Sequence, residues 1–227
     1  MKHLVSGYIM AWNEFPNVRA AIFNILQYVD ELIVLDGGST DGSLECYEKI
    51  ARGDSRLKYA VWMQEGTFYG QGWQHGERRN WCINACQHDW ILTIDADELV
   101  GDTDKDYFRE QESDLLMNTI NLINRQEMIV ECRKCHPAQW WPDPHVRFHR
   151  KAGHKWPDNE QHQRVNVDGH IADTTAIQSE VPIWHYHGVI KANRCWDNEE
   201  DRKQLTLRSI PCNEPRFAEL MKGKVRS

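Results

Sequence analysis

The chain has 227 residues, a formal net charge of −7, and 41% hydrophobic and 10% aromatic residues. That length is one domain's worth, and the apolar content is enough for a sizeable core. The acidic balance argues against a protein that coats nucleic acid, which carries a basic face; no stretch reaches the ~20 apolar residues of a membrane span; and 7 cysteines, an odd count, fit a reducing compartment better than a disulfide framework.

Residues 4–11 read as a first strand, whose apolar run is interrupted by Ser6, Gly7 and then Asn13, unlike a signal peptide. A cytoplasmic location is therefore expected. Residues 15–28 have helical periodicity, with Ala21, Ile22, Ile25, Leu26 and Val29 on the apolar face and Pro16 in the first turn. A second strand, 31–35, runs into Asp36-Gly37-Gly38-Ser39-Thr40-Asp41-Gly42-Ser43. The glycines permit a tight turn, and Ser39 or Asp41 is placed to cap a helix over 44–51. Residues 57–63 read as a third strand, 66–76 as a glycine- and aromatic-rich loop, and 74–87 as a helix. The apolar run 90–94 is a fourth, buried strand leading into Asp95-Ala96-Asp97-Glu98. This alternation implies an α/β fold with a mostly parallel central sheet flanked by helices.

Beyond Glu98 the chain turns polar. Residues 102–114 read as a surface loop entering a helix that runs to about Arg125, followed by strands at 128–132, 146–149 and 181–187. Pro137, Pro142, Pro144 and Pro157 interrupt the intervening sequence. Arg147, His149, Arg150, Lys151, His154 and Lys155 form a basic stretch, either facing an anionic acceptor or forming an exposed strand and turn. Cys132-Arg133-Lys134-Cys135-His136 has the spacing of a haem or zinc ligand pair, but no second cysteine pair completes a zinc site. Free buried thiols are expected, with Cys82 and Cys86 packing on one helical face.

Asp95 and Asp97 sit at the carboxyl end of a predicted strand, where an open α/β sheet presents its ligand crevice. Hard divalent cations take one or two such carboxylates, with substrate phosphates completing the shell. A solvated acidic turn would use the same residues. Trp184-His185-Tyr186-His187 ends a later strand and carries two imidazoles on one side.

Four segments in order carry a resemblance: Asn13-Glu14; Val29-Asp30-Glu31-Leu32-Ile33-Val34-Leu35-Asp36-Gly37-Gly38-Ser39-Thr40-Asp41-Gly42; Arg79-Asn80; and Asp89-Trp90-Ile91-Leu92-Thr93-Ile94-Asp95-Ala96-Asp97-Glu98. Together they resemble family 2 glycosyltransferases of the GT-A fold, in particular small bacterial and phage-type members of the lipopolysaccharide-core kind. The resemblance implies one domain over 1–227, with a nucleotide-sugar half at 1–100 and an acceptor half at 101–227. It implies a metal-dependent, inverting transfer from a nucleotide-diphospho-sugar, UDP-linked by default. Asn13, Glu14 and Asp36 would meet base and ribose. Arg79 and Asn80 would approach the diphosphate or donor sugar, with Arg78 as the alternative arginine. Asp97 would bind Mn²⁺ or Mg²⁺, and Asp95 the donor or the metal. His187 is the favoured third ligand, with His185 the alternative.

The family's general base is commonly an acidic residue beside a histidine in a later loop. The matching stretch here is Trp156-Pro157-Asp158-Asn159-Glu160-Gln161-His162-Gln163, where glutamine follows His162. Glu160, then Asp158, are the available carboxylates. The expected acceptor is a hydroxyl on a glycan, a lipid-linked sugar or, less favoured, modified nucleic acid. The basic end Lys222 to Arg226 would give at most a weak peripheral membrane contact. The alternatives are a non-catalytic nucleotide-sugar-binding module and a sugar-phosphate nucleotidyltransferase. A nicotinamide enzyme, suggested by Gly70, Gly72 and Gly76, lacks the full glycine fingerprint.

Overall fold

The computed structural model describes residues 2–63, 75–124, 130–133, 144–157, 166–167, 170–171, 175–187 and 210–211. The chain begins β1 (Val5–Ala11), α1 (Asn17–Ile25), β2 (Glu31–Asp36), α2 (Ser43–Gly53), β3 (Leu57–Val61), α3 (His75–Ala85), β4 (Trp90–Thr93). These strands lie side by side in the order β4-β1-β2-β3 and are all parallel. The central strand β2 is buried at every position, as expected of a parallel strand covered on both faces.

Side-chain alternation divides the core in two. Val5, Ile9, Leu32 and Val34 point into a cluster with Ile22 and Ile25 of α1 and Tyr47 of α2. Tyr8, Ile33 and Leu35 point the other way, onto Cys82, Ile83 and Cys86 beside α3's inner face. The sheet is therefore sandwiched, and each fully buried aliphatic side chain contributes about 1.5–3 kcal/mol. Cys82 and Cys86 are packing thiols, as their spacing predicts, and burial pushes both pKa values up, that of Cys86 to about 12. Gly7 lets α1 approach closely: a Cβ there would lie 3.1 Å from both Ile25 Cδ1 and Leu32 Cδ1.

The second half departs from the helix expected before Arg125. After β5 (Glu98–Val100) and a short 3₁₀ turn, Phe108–Glu110, residues 115–124 form a long strand, β6 (Leu115–Asn124). Leu115, Met117 and Thr119 are buried while Leu116 and Asn118 are partly exposed, which is the period of a strand. The remaining strands are β7 (Val130–Arg133), β8 (Pro144–Arg150), β9 (His154–Lys155), β10 (Asn166–Val167), β11 (His170–Ile171), β12 (Ile177–Gln178), β13 (Ile183–His187) and β14 (Ile210–Pro211). Strand β8 pairs antiparallel with both β4 and β6, extending the parallel sheet into a mixed one. Strand β13 runs parallel to β6 and antiparallel to β5, while β9, β10 and β11 make a separate small sheet. Among the described residues no helix is long and apolar enough to cross a membrane.

Candidate functional site at the carboxyl ends of the parallel strands

Strand register sets the site. Ala11 pairs with Asp36, and Tyr8 with Thr93, so the segments leaving β1, β2 and β4 emerge side by side at one end of the sheet. This is the crevice position of open α/β folds.

The segment leaving β4 is a closed acidic turn. The Asp95 amide donates to Glu98 Oε2 at 2.8 Å, and the Glu98 amide returns to the Asp95 carbonyl at 3.0 Å. The three carboxylates differ sharply in exposure: the Asp95 side chain is 40% exposed, whereas those of Asp97 and Glu98 are 1% exposed. Arg79, on α3, donates to Asp95 Oδ1 at 3.0 Å and stacks 4.5 Å over the Trp156 ring, a cation–π arrangement. Arg147, on β8, donates to Glu98 Oε1 at 2.6 Å and approaches Asp95 Oδ2 to 3.7 Å. Burial pushes the Glu98 carboxyl up, with Arg147 opposing. Burial also works against the Arg79 charge, but Asp95 beside it holds the guanidinium protonated.

Asp97 Oδ2 lies 2.9 Å from His185 Nε2. The β5–β13 register sets His185 opposite Glu98, which brings a histidine some ninety residues downstream onto the acidic turn. His187 falls two positions further along β13, and its side chain lies outside the described residues. The structure thus joins Asp97 to His185, the alternative of the two histidines.

The segment leaving β2 is knitted to the one leaving β1. Asn13 adopts φ 56°, a left-handed conformation that asparagine tolerates. Its amide donates to Ser39 Oγ at 2.8 Å and its Oδ1 accepts from the Thr40 amide at 2.7 Å. Glu14 is half-buried, its carbonyl accepting the Val18 amide at 2.9 Å. Asp36 is fully buried, and its carboxylate accepts from the Gly38 amide (2.8 Å), the Ser39 amide (2.6 Å), Ser39 Oγ (2.8 Å) and Tyr47 Oη (3.0 Å). The carboxylate therefore shapes this turn from within. Asp41 Oδ1 takes the Ser43 amide at 3.1 Å, at the start of α2.

The two arginines of α3 have different tasks. Arg78 is buried and donates to the Trp62 and Met63 carbonyls, so it secures the end of β3 while Arg79 reaches the acidic turn. Asn80 forms a reciprocal pair with the Trp156 backbone, at 2.8 Å in each direction, and so holds the ring under Arg79. Asp158, Glu160, His162 and Gln163 lie outside the described residues, as do 66–74 of the glycine-rich loop and the 134–136 end of the Cys-His cluster.

Most of the basic stretch is not a free cationic face. Arg147 belongs to the acidic turn, His149 is buried, Lys151 donates to the Asn84 and Cys86 carbonyls, and His154 Nε2 meets Asp114 Oδ2 at 2.8 Å. Arg150 lies over the Trp90 ring. The sequence reading named Arg147 only within the basic stretch and Trp156 only in the stretch read for the general base, and joined neither to the acidic turn; Glu98 adjoined the carboxylate pair but was given no role.

A divalent cation can be tested against these donors. Asp97 Oδ2 and His185 Nε2 are 2.9 Å apart, the length of a hydrogen bond; an octahedral ion with bonds of about 2.1 Å spans a similar separation between adjacent donors and would take the place of that proton. Oxygen and imidazole nitrogen suit Mn²⁺. Among the described residues no three such side chains converge as a ready-made cage. Two protein donors are nevertheless enough for an ion whose shell is completed by substrate phosphates and water. The residues fit.

Residues 6–166 match the family model described as Glycosyl transferase family 2. An uncharacterised glycosyltransferase of Rickettsia conorii is 31% identical over 94 residues, covering 41% of this chain and 29% of that protein. The SPbeta prophage-derived glycosyltransferase SunS of Bacillus subtilis is 27% identical over 116 residues, covering 46% of this chain and 25% of that protein. Among solved structures, S. aureus TarS 1-349 aligns with a TM-score of 0.40 at 23% identity, covering 52% of this chain and 36% of that one. The chain thus spans under a third of the length of these curated relatives.

Proposed function

The chain belongs to glycosyl transferase family 2, and from that premise we propose that it moves a sugar from a nucleotide-diphospho-sugar, UDP-linked by preference, to an acceptor hydroxyl. The observation that carries this reading is the juxtaposition, at one sheet end, of the Asn13–Asp36 turn with Asp95, Asp97, Arg79 and His185.

In this reading the nucleoside lies over the ends of β1 and β2. Asn13 and Glu14 meet it there, and Asp36 holds the Gly38–Ser39 backbone in shape beneath it. Arg79 offers a planar fork to the diphosphate. On donor binding it shares its charge between that group and Asp95, with Asn80 fixing the Trp156 platform below. Asp97 with His185 or His187, and Asp95 alongside, would hold Mn²⁺ or Mg²⁺, which supplies positive charge to the departing nucleoside diphosphate. Asp95 is the exposed carboxylate and orients the donor. Inversion at the anomeric carbon requires a base on the acceptor side, for which Glu160 is the first candidate and Asp158 the second.

The division into a donor half at 1–100 and an acceptor half at 101–227 is refined in this proposal. Arg147, Trp156 and His185 come from the second half yet serve the donor side. The acceptor proposed is a hydroxyl of a glycan or lipid-linked sugar.

The reading is tested by incubating the protein with a panel of nucleotide sugars in Mn²⁺, Mg²⁺ or EDTA, alongside Asp97→Ala. Nucleotide release from one donor, dependent on metal and lost in the variant, is the expected result. Folded protein that binds no donor under any condition overturns it.

A further inference from the structure

Glu98 closes the acidic turn, yet as a buried carboxylate it needs a counter-charge. Its Oε2 accepts the Asp95 amide, while its Oε1 faces a guanidinium 49 positions downstream. That guanidinium, Arg147, has a side chain only 9% exposed, and it reaches Asp95 Oδ2 at 3.7 Å with its other terminal nitrogen. Strand register explains the reach. Phe148 pairs with Leu92, so Arg147 sits just beyond the last paired residue, where β4 gives way to the turn. Among the described residues Arg147 Nε is buried without a hydrogen-bond partner, and the side chain's ion-pair contacts there are the two carboxylates.

We infer that Arg147 is a positioning residue: through Glu98 and directly through Asp95 it fixes the turn that presents Asp95 and Asp97 to the nucleotide diphosphate. Arg147 touches no ligand in this scheme. Arg79 binds Asp95 from the other side, on Oδ1 at 3.0 Å, so the exposed carboxylate is aimed by two arginines, one on each oxygen. Lysine at 147 could offset the Glu98 charge but would lack the planar fork that spans two carboxylates. Loss of the cation altogether would leave Glu98 buried and unpaired.

The inference rests on the donor-binding reading above, and its test keeps the two apart. Binding of UDP and of GDP in the presence of Mn²⁺ would be measured by calorimetry for the wild type, Arg147→Lys, Arg147→Met, Glu98→Gln and the Arg147→Met/Glu98→Gln double variant, with thermal melting of each. Arg147→Lys is expected to melt close to wild type yet bind the nucleotide at least about threefold more weakly, and Arg147→Met at least about tenfold more weakly. The double variant should bind no more weakly than Arg147→Met, because the two residues act in series. If the arginine variants bind as wild type does, or if the single effects simply add, the inference is overturned while the donor-binding reading stands. If Arg147→Met does not fold, Arg147→Lys decides alone. If the wild type binds neither nucleotide with Mn²⁺, the donor-binding reading itself fails, and the inference with it.

Discussion

Asp36 shows how one buried carboxylate can organise a turn from within. Four donors converge on it, two of them backbone amides of the glycine turn. Tyr47 remains a donor because burial, and then the Asp36 charge, push its pKa far above the ordinary value. Asp36→Ala would strand these groups, and each buried unpaired donor costs about 1–3 kcal/mol. The expected outcome is a lower urea midpoint in the protein without ligand, with Tyr47→Phe costing about 1 kcal/mol. An unchanged midpoint in Asp36→Ala would show that the residue's bonds with its own loop contribute nothing and would leave ligand contact as its role. The sequence located Asp36 correctly, at a strand end before glycines, but its partner Tyr47 sits on the following helix and only the fold brings the two together.

At the scale of elements, β2 and β4 were legible because each has an apolar run bounded by turn residues, and β1 because Tyr8, Ile9 and Met10 follow the Ser6-Gly7 interruption without a break. Strand β6 was not. Asn118, Asn121 and Asn124 recur every three residues and mimic a helical polar face, whereas pairing with β8, β7 and β13 draws the segment into the sheet. Arg147 was hidden for a related reason: it meets the acidic turn only because β8 lies antiparallel beside β4. Helix α1 adds a contact of the same kind. Asn24, fully buried, donates to the Val100 carbonyl at 3.0 Å and accepts the Val100 amide at 2.7 Å. This pins β5, the strand that leaves the Asp97–Glu98 turn. Asn24→Leu keeps the volume but leaves both Val100 groups unpaired, a loss of about 2–4 kcal/mol. Hydrogen exchange at the Val100 amide should quicken more than exchange in β2. Equal protection in wild type and variant would mean that α1 does not hold this strand.

For the molecule as a whole, β8 is the seam between the parallel sheet and the mixed half, and it carries a buried histidine two residues from Arg147. His149 is fully buried, with Nδ1 2.8 Å from the Arg150 carbonyl and its ring stacked 4.7 Å from that of His154. His154 has acceptors at both nitrogens, the Ala152 carbonyl at 3.0 Å and Asp114 Oδ2 at 2.8 Å, the pattern of an imidazolium. Burial, and then the neighbouring His154 charge, lower the His149 pKa to about 4 from 6.5. The unfolded chain therefore binds a proton at His149 before the folded one does. Its stabilising contribution is complete above pH 6.5 and is lost as the pH falls toward 4, by about 3 kcal/mol in all. Asp114 acts in the same direction lower down. Burial opposes its charge, but the His154 hydrogen bond prevails and holds its pKa below 3.8, so its contribution fades only as the pH falls through that value. Urea midpoints measured from pH 8 to pH 4 should fall steadily below pH 6.5 in the wild type. They should fall less in His149→Phe, which cannot take up the proton. Parallel curves for the two proteins would place the acid sensitivity elsewhere.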